Sequence, residues 1–122
     1  MGWYEYSFER LEAWKKAKEL VKIIYILTEE FPKKEQFGIV QQIRRASLSI
    51  ASNIAEGSAR PSLKDRAHFM VMAYTSLLEM VNQAIIAHEL GYMQDQDYEK
   101  VRMQSTEVSR MLNSLKNSYL GN

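Results

Sequence analysis

The most constraining pattern in this chain lies near its C-terminal end. Tyr98, Val101, Ser105, Val108, Leu112, Leu115 and Tyr119 follow one another at spacings of 3-4-3-4-3-4. A strand alternates every second residue, so this period belongs to a helix. Sustained over three heptads, it is the seam of an antiparallel bundle or coiled coil. Such a helix needs partners of comparable length, and the rest of the chain supplies them. Glycine and proline, the usual helix breakers, number only five and two.

The spacing predicts a first helix from about Arg10 to Glu30, with Ser7 a candidate N-cap. Ala13, Trp14, Ala17, Leu20, Val21, Ile24, Leu27 and Phe31 share one half of its surface. Glu12, Lys15, Lys16, Glu19, Lys22 and Glu30 share the other half, with Glu12 and Lys16 at the i,i+4 spacing of a helical ion pair. Phe31-Pro32 closes this helix, because proline drives the preceding residue out of the α region. Pro32 then suits the first turn of a second helix, from about Lys33 to Ser58.

That second helix carries two apolar stripes. Ile39, Ile43, Ala46, Ile50, Asn53, Ile54 and Gly57 form one. Val40, Leu48, Ala51 and Ala55 form the other, with Arg44 among them. The polar sector is narrow and holds Gln41, Gln42, Arg45, Ser49, Ser52 and Glu56. A helix apolar over more than half its girth needs more cover than one flank of a bundle provides. The second stripe is therefore expected to meet a third helix or another subunit.

Arg60-Pro61-Ser62 is the next break, and Ser62 with Asp65 fits a capping box. A third helix is expected from about Leu63 to Leu90, on a stripe of Leu63, Ala67, Met70, Tyr74, Leu77, Leu78, Val81 and Ile85. Phe69, Ala73, Met80, Ala84 and Ala87 widen that stripe. Gly91 stands where a helix ends most easily, in the left-handed conformation glycine tolerates. The fourth helix is expected over about 96–119, with Asp95 or Asp97 as its N-cap. Four long helices with short connections run antiparallel to their neighbours. Residues 1–122 thus read as one all-α domain, an antiparallel up-down-up-down four-helix bundle.

The chain contains no cysteine, which excludes disulfides, thiolate catalysis and a thiolate zinc site. Met1-Gly2-Trp3-Tyr4-Glu5-Tyr6 has no basic stretch followed by an apolar run, so it is not a signal peptide. No run approaches the roughly 18 consecutive apolar residues of a membrane span. The expectation is a soluble, cytoplasmic chain with no membrane partner. A net charge of +1 argues against a basic nucleic-acid tail. Its distribution is uneven: residues 33–66 hold seven Lys/Arg and three acids, net +4, leaving −3 for the remainder.

No catalytic constellation is visible. His68 and His88 lie twenty residues apart on one predicted helix, too far to share a metal, and neither has a Glu three residues away. Glu56 and Glu79 fall in polar sectors, and Ser49 and Ser76 lack a local histidine. No metal and no cofactor are expected, and no enzymatic activity. Arg44-Arg45 is the leading binding candidate. Its two side chains point about 100° apart, Arg45 into the polar sector and Arg44 among apolar residues at an interface. With Arg60, Lys64 and Arg66 near the next turn, they form a candidate basic surface for RNA, DNA or a protein partner. The aromatics Trp3, Tyr4, Tyr6, Phe8 and Trp14 crowd the N-terminus. They suit base stacking, packing across the bundle end, or packing onto a neighbouring subunit.

Several segments together resemble a known bacterial family: Phe8 to Trp14 (FERLEAW), Phe31-Pro32-x-x-Glu35-x-Phe37-Gly38, Gln42-Ile43-Arg44-Arg45-Ala46, Ser49-Ile50-x-x-Asn53-Ile54-Ala55-Glu56-Gly57 and Leu90-Gly91-Tyr92. It is the four-helix-bundle family of proteins encoded in intervening sequences of 23S ribosomal RNA genes. The accessory variability determinant of diversity-generating retroelements is similar. The resemblance implies a homopentamer, association with nucleic acid or a ribonucleoprotein, and no enzymatic activity. It assigns Arg44 and Arg45 to partner or subunit contact, Asn53 and Glu56 to polar contacts at the bundle end, and Gly57 to close packing. The family pattern has proline after Ser-Ile where this chain has Ala51, which implies a straighter second helix. Two readings stay open: an oligomeric binder of nucleic acid or ribonucleoprotein, and a protein–protein scaffold with no nucleic-acid role.

Overall fold

The structure, a computed structural model, describes residues 2–121. Four α-helices make up most of it: α1 (Glu12–Thr28), α2 (Ile39–Ser58), α3 (Leu63–Glu89) and α4 (Asp95–Leu120). Each packs against its neighbours in the cyclic order α1, α2, α3, α4 and back to α1, with no diagonal packing. Short connections make successive helices antiparallel, so this is the expected four-helix bundle. The α1–α2 and α3–α4 connections share one end. The α2–α3 turn, the N-terminal segment and the end of α4 share the other.

The core is built from the seams. Leu20 and Ile24 of α1, Ile43, Ile50 and Ile54 of α2, Met70 and Met80 of α3, and Val101, Val108 and Leu112 of α4 are fully buried. The heptad of α4 is buried at Val101, Ser105, Val108 and Leu112. Ser105 is tolerated there because its hydroxyl donates to the Val101 carbonyl at 2.7 Å.

Local chemistry moves several helix ends from their expected places. A 3-10 turn at Ser7–Arg10, with Tyr6 N–H donating to Glu9 at 2.8 Å, precedes α1, which starts at Glu12 rather than near Arg10. Ser7 therefore lies inside that turn and does not cap α1. Lys33–Glu35 is likewise a separate 3-10 turn, and α2 begins only at Ile39, after Gly38. The expected second helix is interrupted at Gly38, whose backbone is non-helical (φ −108°, ψ −116°), and Glu35 in the preceding turn accepts a 2.8 Å hydrogen bond from the Tyr92 hydroxyl. Ser62 caps α3 as expected, accepting from Asp65 N–H at 3.2 Å. Gly91 has φ +81°. The N-cap of α4 is Gln94. Asp95 and Asp97 sit instead in its first turn, where carboxylates favour the helix dipole. Lys16 pairs not with Glu12 but with Glu19 and, across to α4, Glu107, both at 3.7 Å.

The second stripe of α2 finds its cover inside the monomer. The N-terminal 3-10 turn packs against α2 beside α1, Val40 is buried, Ala51 and Ala55 are half-buried, and of that stripe Leu48 alone is exposed. Uncovered apolar surface lies on α3. Its buried seam is Ala67, Met70, Ala73, Leu77, Met80, Ala84 and Ala87. The expected stripe was therefore centred too far toward α4, where Leu63, Val71, Tyr74 and Leu78 are exposed. By length and composition α3 passes for a membrane span, with mean hydropathy 1.3. In the bundle it packs between α2 and α4.

Candidate functional site

The expected basic residues do not form one surface. Arg44 reaches back to the end of α1, with Nε donating to Thr28 Oγ1 at 2.8 Å and Nη2 to the Tyr25 carbonyl at 3.2 Å. Nη2 also lies 3.4 Å from Glu29, and the guanidinium covers the Tyr25 ring at 4.7 Å. These donors satisfy a carbonyl left open where α1 stops, so Arg44 ties α1 to α2 instead of facing a partner. Arg45 is exposed, with a 3.2 Å bond to Gln42. It lies roughly 20 Å along the α2 axis from the α2–α3 turn, at about 1.5 Å per residue.

Arg60 and Arg66 come together at that turn, and Lys64 lies between them in sequence. Arg66 Nε donates to the Arg60 carbonyl at 2.6 Å. The Arg60 guanidinium lies 4.9 Å from the Phe69 ring, and that of Arg66 lies 5.8 Å from the Tyr119 ring. Ring faces attract cations and hold these side chains outward at the bundle end. Among the described residues none of the three is paired with a carboxylate.

Gly57 makes the turn possible. A Cβ there would fall 2.3 Å from Phe69 Cβ and 2.9 Å from the Met70 terminal methyl, so α2 and α3 approach closely only because the residue is glycine. Asn53 lies a turn further up, its amide donating to the Ser49 carbonyl at 2.9 Å. Ser49 in turn bonds Ser76 of α3 at 2.8 Å. Asn53 is thus part of a polar ladder along the α2–α3 seam, short of the bundle end. Glu56 is exposed.

The α3–α4 flank is different, and sequence reasoning missed it. Two contiguous cavities of about 470 and 360 Å³ share Tyr74, Ser109 and Arg110 and run as one groove from Met70 to Val81. Val71, Tyr74, Leu78 and Val81 give the apolar wall. Arg102, Arg110 and Lys116 of α4 give a cationic one, and among the described residues no carboxylate lines it. The signal was the abundance of apolar residues on α3, beyond what a single buried seam uses.

At the opposite end of the bundle, Tyr92 and Glu35 join the two connections, with the Phe31 and Tyr92 rings 5.7 Å apart. The hydrogen bond from Tyr92 to the Glu35 carboxylate raises the phenol above its ordinary pKa, with burial and the negative charge adding to the effect. His88 pairs with Asp95 at 2.7 Å and stacks on Tyr98 with centroids 4.1 Å apart. Among the described residues no group of three or more His, Asp or Glu is placed to hold a metal.

Four antiparallel helices packed around one core define an all-α four-helix bundle. More particularly, residues 9–114 match the sequence profile of the 23S rRNA-intervening sequence proteins, and the chain belongs to that family. A crystal structure of a protein of unknown function from the S23 ribosomal protein family of Bacteroides thetaiotaomicron shares the fold. It has a TM-score of 0.76 and 24% identity, over 84% of this chain and 96% of that one. A search of curated proteins finds no match.

Proposed function

We propose that this chain is a non-catalytic, oligomeric bundle of the bacterial cytoplasm that binds nucleic acid or a ribonucleoprotein through the α2–α3 turn. The observation that carries this reading is the meeting of Arg60 and Arg66 at that turn, with Lys64 beside them in sequence and, among the described residues, no carboxylate paired to any of the three. Phosphate contact needs clustered, unneutralised Lys/Arg and no particular sequence. The family's tie to 23S rRNA intervening sequences supports it. Arg45 extends the surface only for a ligand long enough to follow α2, and Arg44 is excluded by its bonds to α1.

Filter binding of structured RNA across a salt series tests this. Three phosphate contacts give a log–log slope of roughly −2 to −3. The triple change Arg60→Glu, Lys64→Glu, Arg66→Glu is expected to abolish most of that slope, while Arg44→Ala weakens the fold and leaves the slope alone. Absence of binding at low salt, or binding indifferent to the triple change, would sink the proposal. The oligomeric half of the reading has its own support, the exposed apolar residues of α3. The same observation favours the second reading, a protein–protein scaffold, should RNA binding fail.

A further inference from the structure

We infer that the N-terminal segment, residues 2–6, docks into the α3–α4 groove of a second copy of this chain; this rests on the oligomeric half of the reading above. Trp3, Tyr4 and Tyr6 are exposed at 71%, 74% and 58%. They stand outside any helix, and a ladder of rings holds the two tyrosines: Tyr4 on Tyr6 at 5.0 Å, Tyr6 on Phe8 at 6.1 Å, Phe8 on Trp14 at 4.9 Å. Three large rings held in solvent are a surface awaiting cover.

Charge selects the partner. Within residues 2–10 Glu5 is paired with Arg10 at 2.8 Å, and Glu9 leaves the segment net negative, so it does not attract phosphate. The α3–α4 groove has the complementary character, an apolar wall facing Arg102, Arg110 and Lys116, with no carboxylate among the described residues. The lengths agree as well. Five extended residues span about 17 Å at most, and Met70 to Val81 spans roughly 16 Å of helix.

A chain cannot fill its own groove. The N-terminal 3-10 turn packs on α1 and α2, and the groove lies between α3 and α4, across the bundle. Two different patches on opposite faces make a head-to-tail contact, which closes as a ring or continues as a filament.

Light scattering on the full chain tests the inference. The wild-type protein is expected at three or more times the 14.2 kDa chain mass. Trp3→Ala/Tyr4→Ala/Tyr6→Ala (arm variant) and Tyr74→Asp/Leu78→Asp (groove variant) are each expected at 14.2 kDa, with unchanged helical circular dichroism because all five side chains lie outside the buried core. Mixing the two variants should give a species of twice the chain mass and nothing larger, since one intact arm and one intact groove remain. A wild-type monomer would overturn both the inference and the oligomeric reading. Wild-type assembly that survives both variants would overturn the arm–groove contact alone. Arm variants that assemble normally but lose RNA binding would make the aromatics a stacking platform and overturn the inference.

Discussion

The two flanks of α3 treat the same apolar helix in opposite ways. Toward α2 the partner offers glycine and serine: Gly57 lets Phe69 and Met70 approach to contact, and Ser49 meets Ser76. Toward α4 the partner offers Arg102, Ser109, Arg110 and Lys116, and Val71, Tyr74 and Leu78 stay open. The same helix is thus a core element on one flank and leaves apolar surface open on the other. What decides is the size and charge of the residues facing it, more than its own sequence.

The strongest way to break this contrast is to spoil the close flank. Gly57→Leu places a branched side chain where even a Cβ has no room, and overpacking of this kind costs about 3 kcal/mol. Urea unfolding followed by circular dichroism should show a much lower midpoint; an unchanged midpoint would mean that the flank is looser than described. A neighbouring pair then separates core from open surface. Leu77 is 2% exposed and Leu78 is 51% exposed. Leu77→Ala should destabilise the dilute chain by about 2–5 kcal/mol. Leu78→Ala should shift it by no more than about 0.5 kcal/mol, with an effect that emerges only as protein concentration rises. Equal effects in dilute solution would erase the distinction.

The smallest effect concerns neither flank and serves as a control. Tyr92 has its pKa raised from the ordinary 10.0 by the hydrogen bond to Glu35. A raised folded-state value favours the protonated phenol, so its contribution is complete below about pH 10 and is lost as pH rises through the raised value. Tyr92→Phe should lower stability modestly near neutrality and remove this part of the alkaline loss, while leaving assembly unchanged. Alkaline titration of unfolding free energy for both proteins checks it.

Much of the fold was legible because period and punctuation agree along the chain. The heptad of α4, the Ser62 cap and Gly91 each work through neighbours in sequence, and such signals survive folding. The phase of α3 was legible only in breadth: the widened stripe held every buried residue, but its centre included Tyr74 and Leu78, which are exposed. With apolar residues on every side, its sequence contains several equally good stripes, and only the identity of the flanking helices selects Ala73, Met80 and Ala87 over Tyr74 and Leu78. The candidate surface was half legible for a related reason. Arg60 and Arg66 are close in sequence and remain close in space. Arg44 was misplaced because its acceptors, Thr28 and the Tyr25 carbonyl, come from another helix. The α4 cations were passed over because each is an ordinary surface residue until α3 stands beside it.

The bond between Tyr92 and Glu35 joins residues 57 positions apart. A closure over that span loses much chain entropy for one contact, so it forms only after helices have already brought the two connections together. It belongs to the late part of the folding reaction. Loosening it should quicken unfolding and leave the folding rate almost untouched. The residues Phe31-Pro32 to Gly38 and Leu90 to Tyr92 then act less as builders of the bundle than as its latch, setting how long a folded molecule stays closed.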